Sequence, residues 1–194
     1  DEMVSTPMIS LATKQLKASI GVVLTASHNP PSYNGYKLKA HYGGPLSPEK
    51  VQEIEDIIPE INSVDLNAVS LEKAIKSGKL EMHDFETRYV EHVQANFDLD
   101  AISNSGLNLM YDAMYGAGQR VMPRILPNVK LMHCEMNPSF YGQAPEPIAK
   151  NLQELEEFIK KDGTVSCALA TDGDADRIGL YNGKGEFIDS HHII

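Results

Sequence analysis

Residues 20–40 read IGVVLTASHNPPSYNGYKLKA, an order that dictates a strand, a long loop and a second strand. Ile20 to Leu24 is a short β-branched apolar run, the mark of a buried strand. Tyr36, Lys37, Leu38 and Lys39 alternate with period two, and Asn34-Gly35 before them suits a turn into a strand. Turn chemistry explains Pro30, Pro31, Asn34 and Gly35, because proline fixes φ and Asn-Gly tolerates left-handed backbone. It does not explain Ser27, His28 or Lys37.

Working outward, Ser47-Pro48 reads as N-cap and first helical position, with Val51, Ile54, Ile57 and Ile58 as an apolar stripe. Asp84 caps a second helix in which Phe85, Tyr89, Val93 and Phe97 recur every four residues. Asp98 to Gly106, DLDAISNSG, is polar and turn-rich, and a strand-helix alternation restarts after it. The spacing predicts a helix over roughly Ile148 to Lys161, with Leu152, Leu155, Phe158 and Ile159 inward and Gly163 as its stop. Val165 to Ala170 is a further strand, followed by TDGDADR and by a hairpin, Ile178 to Tyr181 and Glu186 to Ile188, turned at Asn182-Gly183. Strands alternating with helices on both sides of one boundary predict two α/β units, residues 1–98 and 99–194. Each is expected to be a three-layer α/β/α domain with a largely parallel mixed sheet. In such sheets ligands collect outside the carboxyl ends of strands, where both unusual loops fall.

Composition bounds the partners. The 194 residues are 42% hydrophobic and 23% charged, ordinary for one or two globular domains. A net charge of -10 argues against nucleic acid or an anionic membrane surface, since neither is attracted over long range. No apolar run has a membrane helix's length and no leader is visible, so a cytoplasmic protein is expected. Cys134 and Cys167 lack metal-ligand spacing and read as reduced core thiols. A start at Asp1 and a helix only beginning at His191-His192-Ile193-Ile194 suggest a piece of a longer chain.

The densest chemistry is in DGDAD. Asp172, Asp174 and Asp176 put three carboxylates within five residues, an arrangement that repels itself unless cations offset it. A hard divalent cation with oxygen ligands is the natural partner, and the Gly173 and Ala175 spacers let the loop fold inward. A solvated acidic turn is the plainer reading of any such triplet; the position at a strand end, with Arg177 next, favours a site. The loop is no EF-hand, since Arg177 and Gly183 stand where glycine and glutamate are needed. A haloacid-dehalogenase-type phosphotransferase also sets Asp-x-Asp after a strand. Here Asp176 occupies its usual Thr or Val position, which weakens that alternative without removing it.

Ser27 alone would be read as a turn hydroxyl. It lies in no G-x-S-x-G elbow, and His28 beside it cannot easily turn back onto its neighbour's hydroxyl, so a Ser-His-acid hydrolase is disfavoured. Gly116 and Gly118 begin a dinucleotide fingerprint, but Val121 stands where the third glycine belongs, so they read as a tight strand-to-helix turn. His133, His191 and His192 have no partner spacing and default to structural roles.

Taken together, TASHNP with its downstream NGYK, the D-x-x-x-G-x-G stretch from Asp112 to Gly118, and TDGDADR resemble the α-D-phosphohexomutase family, the phosphoglucomutases and phosphomannomutases. The resemblance implies an isomerase that interconverts hexose 1-phosphate and hexose 6-phosphate through a phosphoserine and a hexose 1,6-bisphosphate. It makes Ser27 the phosphoserine. Asp172, Asp174 and Asp176 become Mg2+ ligands, completed by the seryl phosphate. Lys37 is the implied acid or base, a base only if nearby cations lower its pKa, and His28 a hydrogen-bonding partner in catalysis. Arg177 and Asn29 are implied to bind substrate or phosphate. Family members have four domains, so residues 1–98 correspond to the later part of the first and residues 99–194 to most of the second. The partners implied are a phosphorylated hexose and the third and fourth domains of the same chain. Alone, the piece is expected to be inactive, and a metal- or phosphate-binding module without catalysis is the other reading for it. One geometric expectation follows from magnesium-oxygen bonding: the Ser27 hydroxyl should lie roughly 4 to 7 Å from the nearest loop carboxylate.

Overall fold

A computed structural model describes residues 3–60, 65 and 69–188. The helix expected to begin at His191 lies outside the described residues, as does the role of His192. The chain opens with α1 (Thr6–Gln15), whose N-cap Ser5 accepts from the Met8 backbone N–H and whose first turn holds Pro7. The strands β1 (Ile20–Leu24) and β2 (Tyr36–Ala40) follow and pair antiparallel, with Val23 opposite Lys37. A two-stranded sheet is marginal by itself, so packing against α1 matters. Gly21 makes that packing close: a Cβ there would lie 2.2 Å from Thr13 Oγ1.

Ser47 caps α2 (Pro48–Glu55) as expected, but the helix buries none of its residues. Ile57 and Ile58 are exposed because the helix stops before them, so the expected stripe shortens to half-buried Val51 and Ile54. A further short helix, α3 (Leu71–Lys76), is capped by Ser70. Asp84 caps α4 (Phe85–Asn96), whose buried residues are Glu86 and Val90. The expected line of Phe85, Tyr89, Val93 and Phe97 is therefore turned, and Phe97 ends exposed as the C-cap. The reason is electrostatic as well as apolar. Glu86 is buried because Arg124 Nη1 and Arg120 Nε meet its carboxylate at 2.6 and 3.0 Å, while Met8, Val90 and Val121 form the apolar cluster beside it. Asp98 to Gly106 is not all turn: Asp98 caps a one-turn helix, α5 (Leu99–Ser103).

The second half is built on a five-stranded mixed sheet in the order β4-β3-β5-β6-β7. Its strands are β3 (Leu109–Asp112), β4 (Lys130–Met132), β5 (Cys167–Thr171), β6 (Ile178–Asn182) and β7 (Phe187–Ile188). Parallel pairing is confined to β3 with β4 and β5, while β5-β6 and β6-β7 are antiparallel. Between β3 and β4 the Gly116–Gly118 turn leads into α6 (Met122–Ile125). The expected helix at Ile148 begins as a 3-10 turn, Ala149–Asn151, and becomes α7 (Gln153–Asp162), stopped by left-handed Gly163. Leu152, Leu155 and Ile159 enter the core with Met110, Ala168, Ala170 and Tyr181. Phe158, at the edge of that face, stays partly exposed with Lys130 Nζ over its ring. Cys134 and Cys167 are free and half-buried, and burial pushes the Cys134 thiol up to about 11. No helix among the described residues is long and apolar enough to cross a membrane.

One buried charge pair locks the carboxyl ends of β3 and β4. His133 Nδ1 lies 3.0 Å from both oxygens of the fully buried Asp112, and Nε2 lies 3.3 Å from Glu154. The Asp112 hydrogen bond raises the His133 pKa above 6.5; burial opposes this, and the Asp112 and Glu154 charges add to it. A histidine raised in the folded state stabilises fully below the unfolded pKa of about 6.5, and that contribution disappears as pH rises through the folded pKa. Replacing His133 with glutamine is therefore expected to cost on the order of 1 kcal/mol more at pH 5.5 than at pH 9. Urea unfolding at the two pH values checks this, and an equal loss at both would refute it.

Candidate active site

The two unusual loops meet. Ser27 follows β1, and the acidic loop follows β5. Ser27 Oγ donates to Asp172 Oδ2 at 3.3 Å across 145 positions of sequence. This is nearer than the expected 4 to 7 Å, because the hydroxyl bonds the carboxylate directly.

Local backbone explains how Ser27 is presented. It has φ +55, uncommon for a residue with a Cβ, and its backbone N–H donates to Thr25 Oγ1 at 2.8 Å. Asn29 closes the same turn through both its backbone N–H and its Nδ2, each bonding Ala26 O at 3.0 Å. Its second Nδ2 hydrogen is what remains for another acceptor. His28 sits half-buried beside Ser27, and its buried Nδ1 has no hydrogen-bond partner among the described residues.

The acidic loop is held from below. Asp172 is fully buried; its Oδ1 accepts the backbone N–H groups of Asp176 and Arg177 at 2.9 and 3.0 Å. Burial pushes its pKa up, with the Asp174 and Asp176 charges adding and the backbone donors opposing. Gly116 fits under the loop where a Cβ would lie 2.8 Å from both Asp172 O and Gly173 O, and the Ala117 N–H donates to Gly173 O at 2.9 Å. The strand-to-helix turn thus serves as a floor for the acidic loop.

Compensation for the three carboxylates comes mainly from Lys37, which the sequence had not paired with them. Its Nζ lies 3.0 Å from Asp174 Oδ2 and 3.6 Å from Asp176 Oδ2. Arg177, the cation next to the triplet in sequence, stands further off, with Nε 3.8 Å from Asp172 Oδ2 and Nη2 donating to Ser27 Oγ at 3.5 Å. Partial burial works against the Lys37 charge, but the hydrogen bond to Asp174 and the two carboxylate charges outweigh it and raise its pKa. Carboxylates, not cations, are its nearest neighbours here, and they favour its charged form.

A divalent cation fits this loop. One oxygen from each of Asp172, Asp174 and Asp176 lies within 4.8 Å of the others, and Asp174 Oδ1 is buried with no hydrogen-bond partner among the described residues. An orphaned carboxylate oxygen in a cluster of hard oxygen donors is what such an ion would satisfy. A separate cavity of about 480 Å³, between Tyr115, His133, Tyr141 and Lys150, contains none of these groups.

One residue escaped sequence reasoning. Thr6, the first residue of α1, donates from Oγ1 to Asp174 Oδ2 at 2.7 Å. Ser5 and Pro7 mark a helix start there, but nothing in the sequence links that start to a loop 168 positions away.

The comparisons agree with this architecture. The description phosphoglucomutase/phosphomannomutase, alpha/beta/alpha domain I, matches residues 1–65, and domain II of the same family matches residues 87–185. A phosphoglucomutase/phosphomannomutase of Thermococcus kodakarensis is 33% identical over 187 residues, which cover 94% of this chain and 40% of the relative. A phosphopentomutase of the same organism is 30% identical over 203 residues, covering 100% of this chain and 41% of the relative. A Thermus thermophilus structure assigned as a phosphomannomutase superposes with a TM-score of 0.82 at 36% identity, over 97% of this chain and 42% of that one. The chain thus spans about two fifths of the length of these relatives. With domain II alone matching more than half of its residues and domain I most of the rest, the chain belongs to the phosphoglucomutase/phosphomannomutase family, the α-D-phosphohexomutases.

Proposed function

We propose that this chain carries the phosphoryl-transfer centre of a hexose phosphate mutase, with Ser27 as the phosphoryl carrier. The observation that supports it most is the approach of Ser27 Oγ to Asp172, with Arg177 reaching the same hydroxyl and Lys37 the neighbouring Asp174. The substrate proposed is a hexose 1-phosphate or 6-phosphate, and a hexose 1,6-bisphosphate is the intermediate. In the first half-reaction the P–Oγ bond of phosphorylated Ser27 breaks as a P–O bond forms to a sugar hydroxyl. The sugar proton leaves, and Ser27 Oγ is returned to a hydroxyl. The second half-reaction runs the same chemistry backwards with the sugar's other phosphate, so the two sugar positions exchange roles.

Lys37 suits both halves. Protonated at rest, it can give its proton to the leaving Ser27 Oγ and, neutral once it has done so, take up the proton that the sugar hydroxyl releases, so that each half-reaction leaves it charged again. Arg177 would neutralise charge at the seryl oxygen, and His28 and Asn29 are the proposed donors to the phosphoryl oxygens. Asp172, Asp174 and Asp176 would hold Mg2+ together with the Ser27 phosphate, and the bound ion would draw negative charge from the transferring group. In an acidic protein, such local cations are what let an anionic substrate approach.

We place the two units at residues 1–98 and 99–194, with Glu86 of the first meeting Arg120 and Arg124 of the second. The sugar-recognising part of the cleft would come from two further domains, so this chain alone should not sustain turnover. Incubating it with glucose 1,6-bisphosphate and mapping the phosphopeptide tests the carrier. Phosphate on Ser27 is expected; phosphate on Asp172 would instead make it a dehalogenase-type aspartyl transferase, and no labelled residue would leave a binding module.

A further inference from the structure

We propose that Thr6 is a positioning residue for the cation: it turns the Asp174 carboxylate so that one oxygen is left free to act as a ligand. This rests on the metal reading above. Thr6 is buried, 2% exposed, and makes two bonds to the same residue. Its backbone N–H donates to Asp174 O at 2.9 Å, and its Oγ1 donates to Asp174 Oδ2 at 2.7 Å. One bond fixes where the residue sits; the other fixes how its carboxylate is rotated.

The rotation has a consequence for the two oxygens. Lys37 Nζ also takes Oδ2, at 3.0 Å, so the Thr6 and Lys37 donors to this carboxylate converge on one atom. Oδ1 is buried without a partner among the described residues. Leaving a buried polar atom unpaired is costly, and a fold carries that cost where something else will satisfy the atom.

Thr6 and Lys37 are not equivalent. Lys37 is a long side chain, 39% exposed, whose proton and charge the proposed reaction needs elsewhere. Thr6 is a short neutral donor fixed at the start of a capped helix, and it can keep its bond while Lys37 turns to the phosphoryl group. Groups that orient a metal ligand in this way typically contribute about 10- to 100-fold to metal affinity.

The test is a Mn2+ titration of the 194-residue chain followed by EPR, Mn2+ being a hard, oxygen-preferring substitute for Mg2+. Thr6→Val keeps the shape and removes the hydroxyl, and is expected to weaken Mn2+ binding about tenfold, while Thr6→Ser stays within about threefold of the parent. Thr6→Ala is measured beside Thr6→Val and is read in its place should the valine variant not fold. A Thr6 that merely holds the fold together would lower the melting temperature of these variants without moving the affinity of the folded protein. Unchanged affinity in the folded variants without the hydroxyl, or a loss that Thr6→Ser does not restore, overturns the proposal. If the parent chain binds no Mn2+, or Asp172→Asn binds it as well as the parent, the metal reading itself fails and takes this proposal with it.

Discussion

Ser27→Ala is expected to lower the proposed mutase turnover, measured in a full-length protein that carries this chain, by at least about 10⁴-fold, the scale seen when a covalent carrier is removed from an enzyme. The fold should barely register the change. The hydroxyl contributes only a 3.3 Å bond to Asp172 and a 3.5 Å contact from Arg177, so the lost stability should be about 1 kcal/mol. The positive φ at this position is no worse for alanine than for serine. Binding of sugar phosphate should persist as well, since Arg177, Lys37 and the carboxylates are untouched. A coupled turnover assay beside a thermal melt reads both parts. Retained turnover would return Ser27 to an ordinary turn hydroxyl, and a collapsed melt would make the loss of activity uninformative about chemistry.

What was legible in the sequence divides along physical lines. Caps and strands are local, so Ser47-Pro48, Asp84, Gly163 and the strands near Ile20 and Val165 could be placed, although β1, read as buried, exposes Ile20, Val22 and Leu24, and β5 begins only at Cys167. The acidic triplet and the serine loop were legible because neither is explained by turn chemistry alone. Which face of a helix turns inward is not local. The stripe of α4 was misjudged because Glu86, a residue that patterning sends to solvent, is buried by two arginines from beyond β3. Phe158 and Ile57 read as core residues by spacing, yet the helix edge in one case and the helix end in the other leave them outside. In the candidate site, the residue types were readable but their partners were not. That Lys37 rather than Arg177 balances Asp174, and that Thr6 reaches the same oxygen, depends on contacts 137 and 168 positions apart. No spacing rule reaches that far.

The second large effect should come from a residue with no side chain. A Cβ on Gly173 would lie 2.4 Å from the backbone oxygen of Ser27 and 3.0 Å from Pro145 Cγ. The first is a backbone atom of Ser27, the proposed phosphoryl carrier, so no rotamer change can relieve it. Nor can the acidic loop retreat, because Gly116 leaves no room behind Asp172 O and Gly173 O, and Ala117 holds Gly173 O by a hydrogen bond. Gly173→Ala must therefore push the serine loop away by on the order of 1 Å, the difference between that gap and ordinary contact. A displacement of that size in an aligned transfer costs about 100-fold in rate, and the strained packing costs about 1–3 kcal/mol in stability. The carboxylates, Lys37 and Arg177 all remain, so divalent-cation binding should suffer far less than turnover. Measuring kcat and cation affinity on the same variant of a full-length protein that carries this chain separates the two effects. Turnover equal to that of the parent would mean that the close approach of Ser27 to the acidic loop is not the geometry in which phosphate moves.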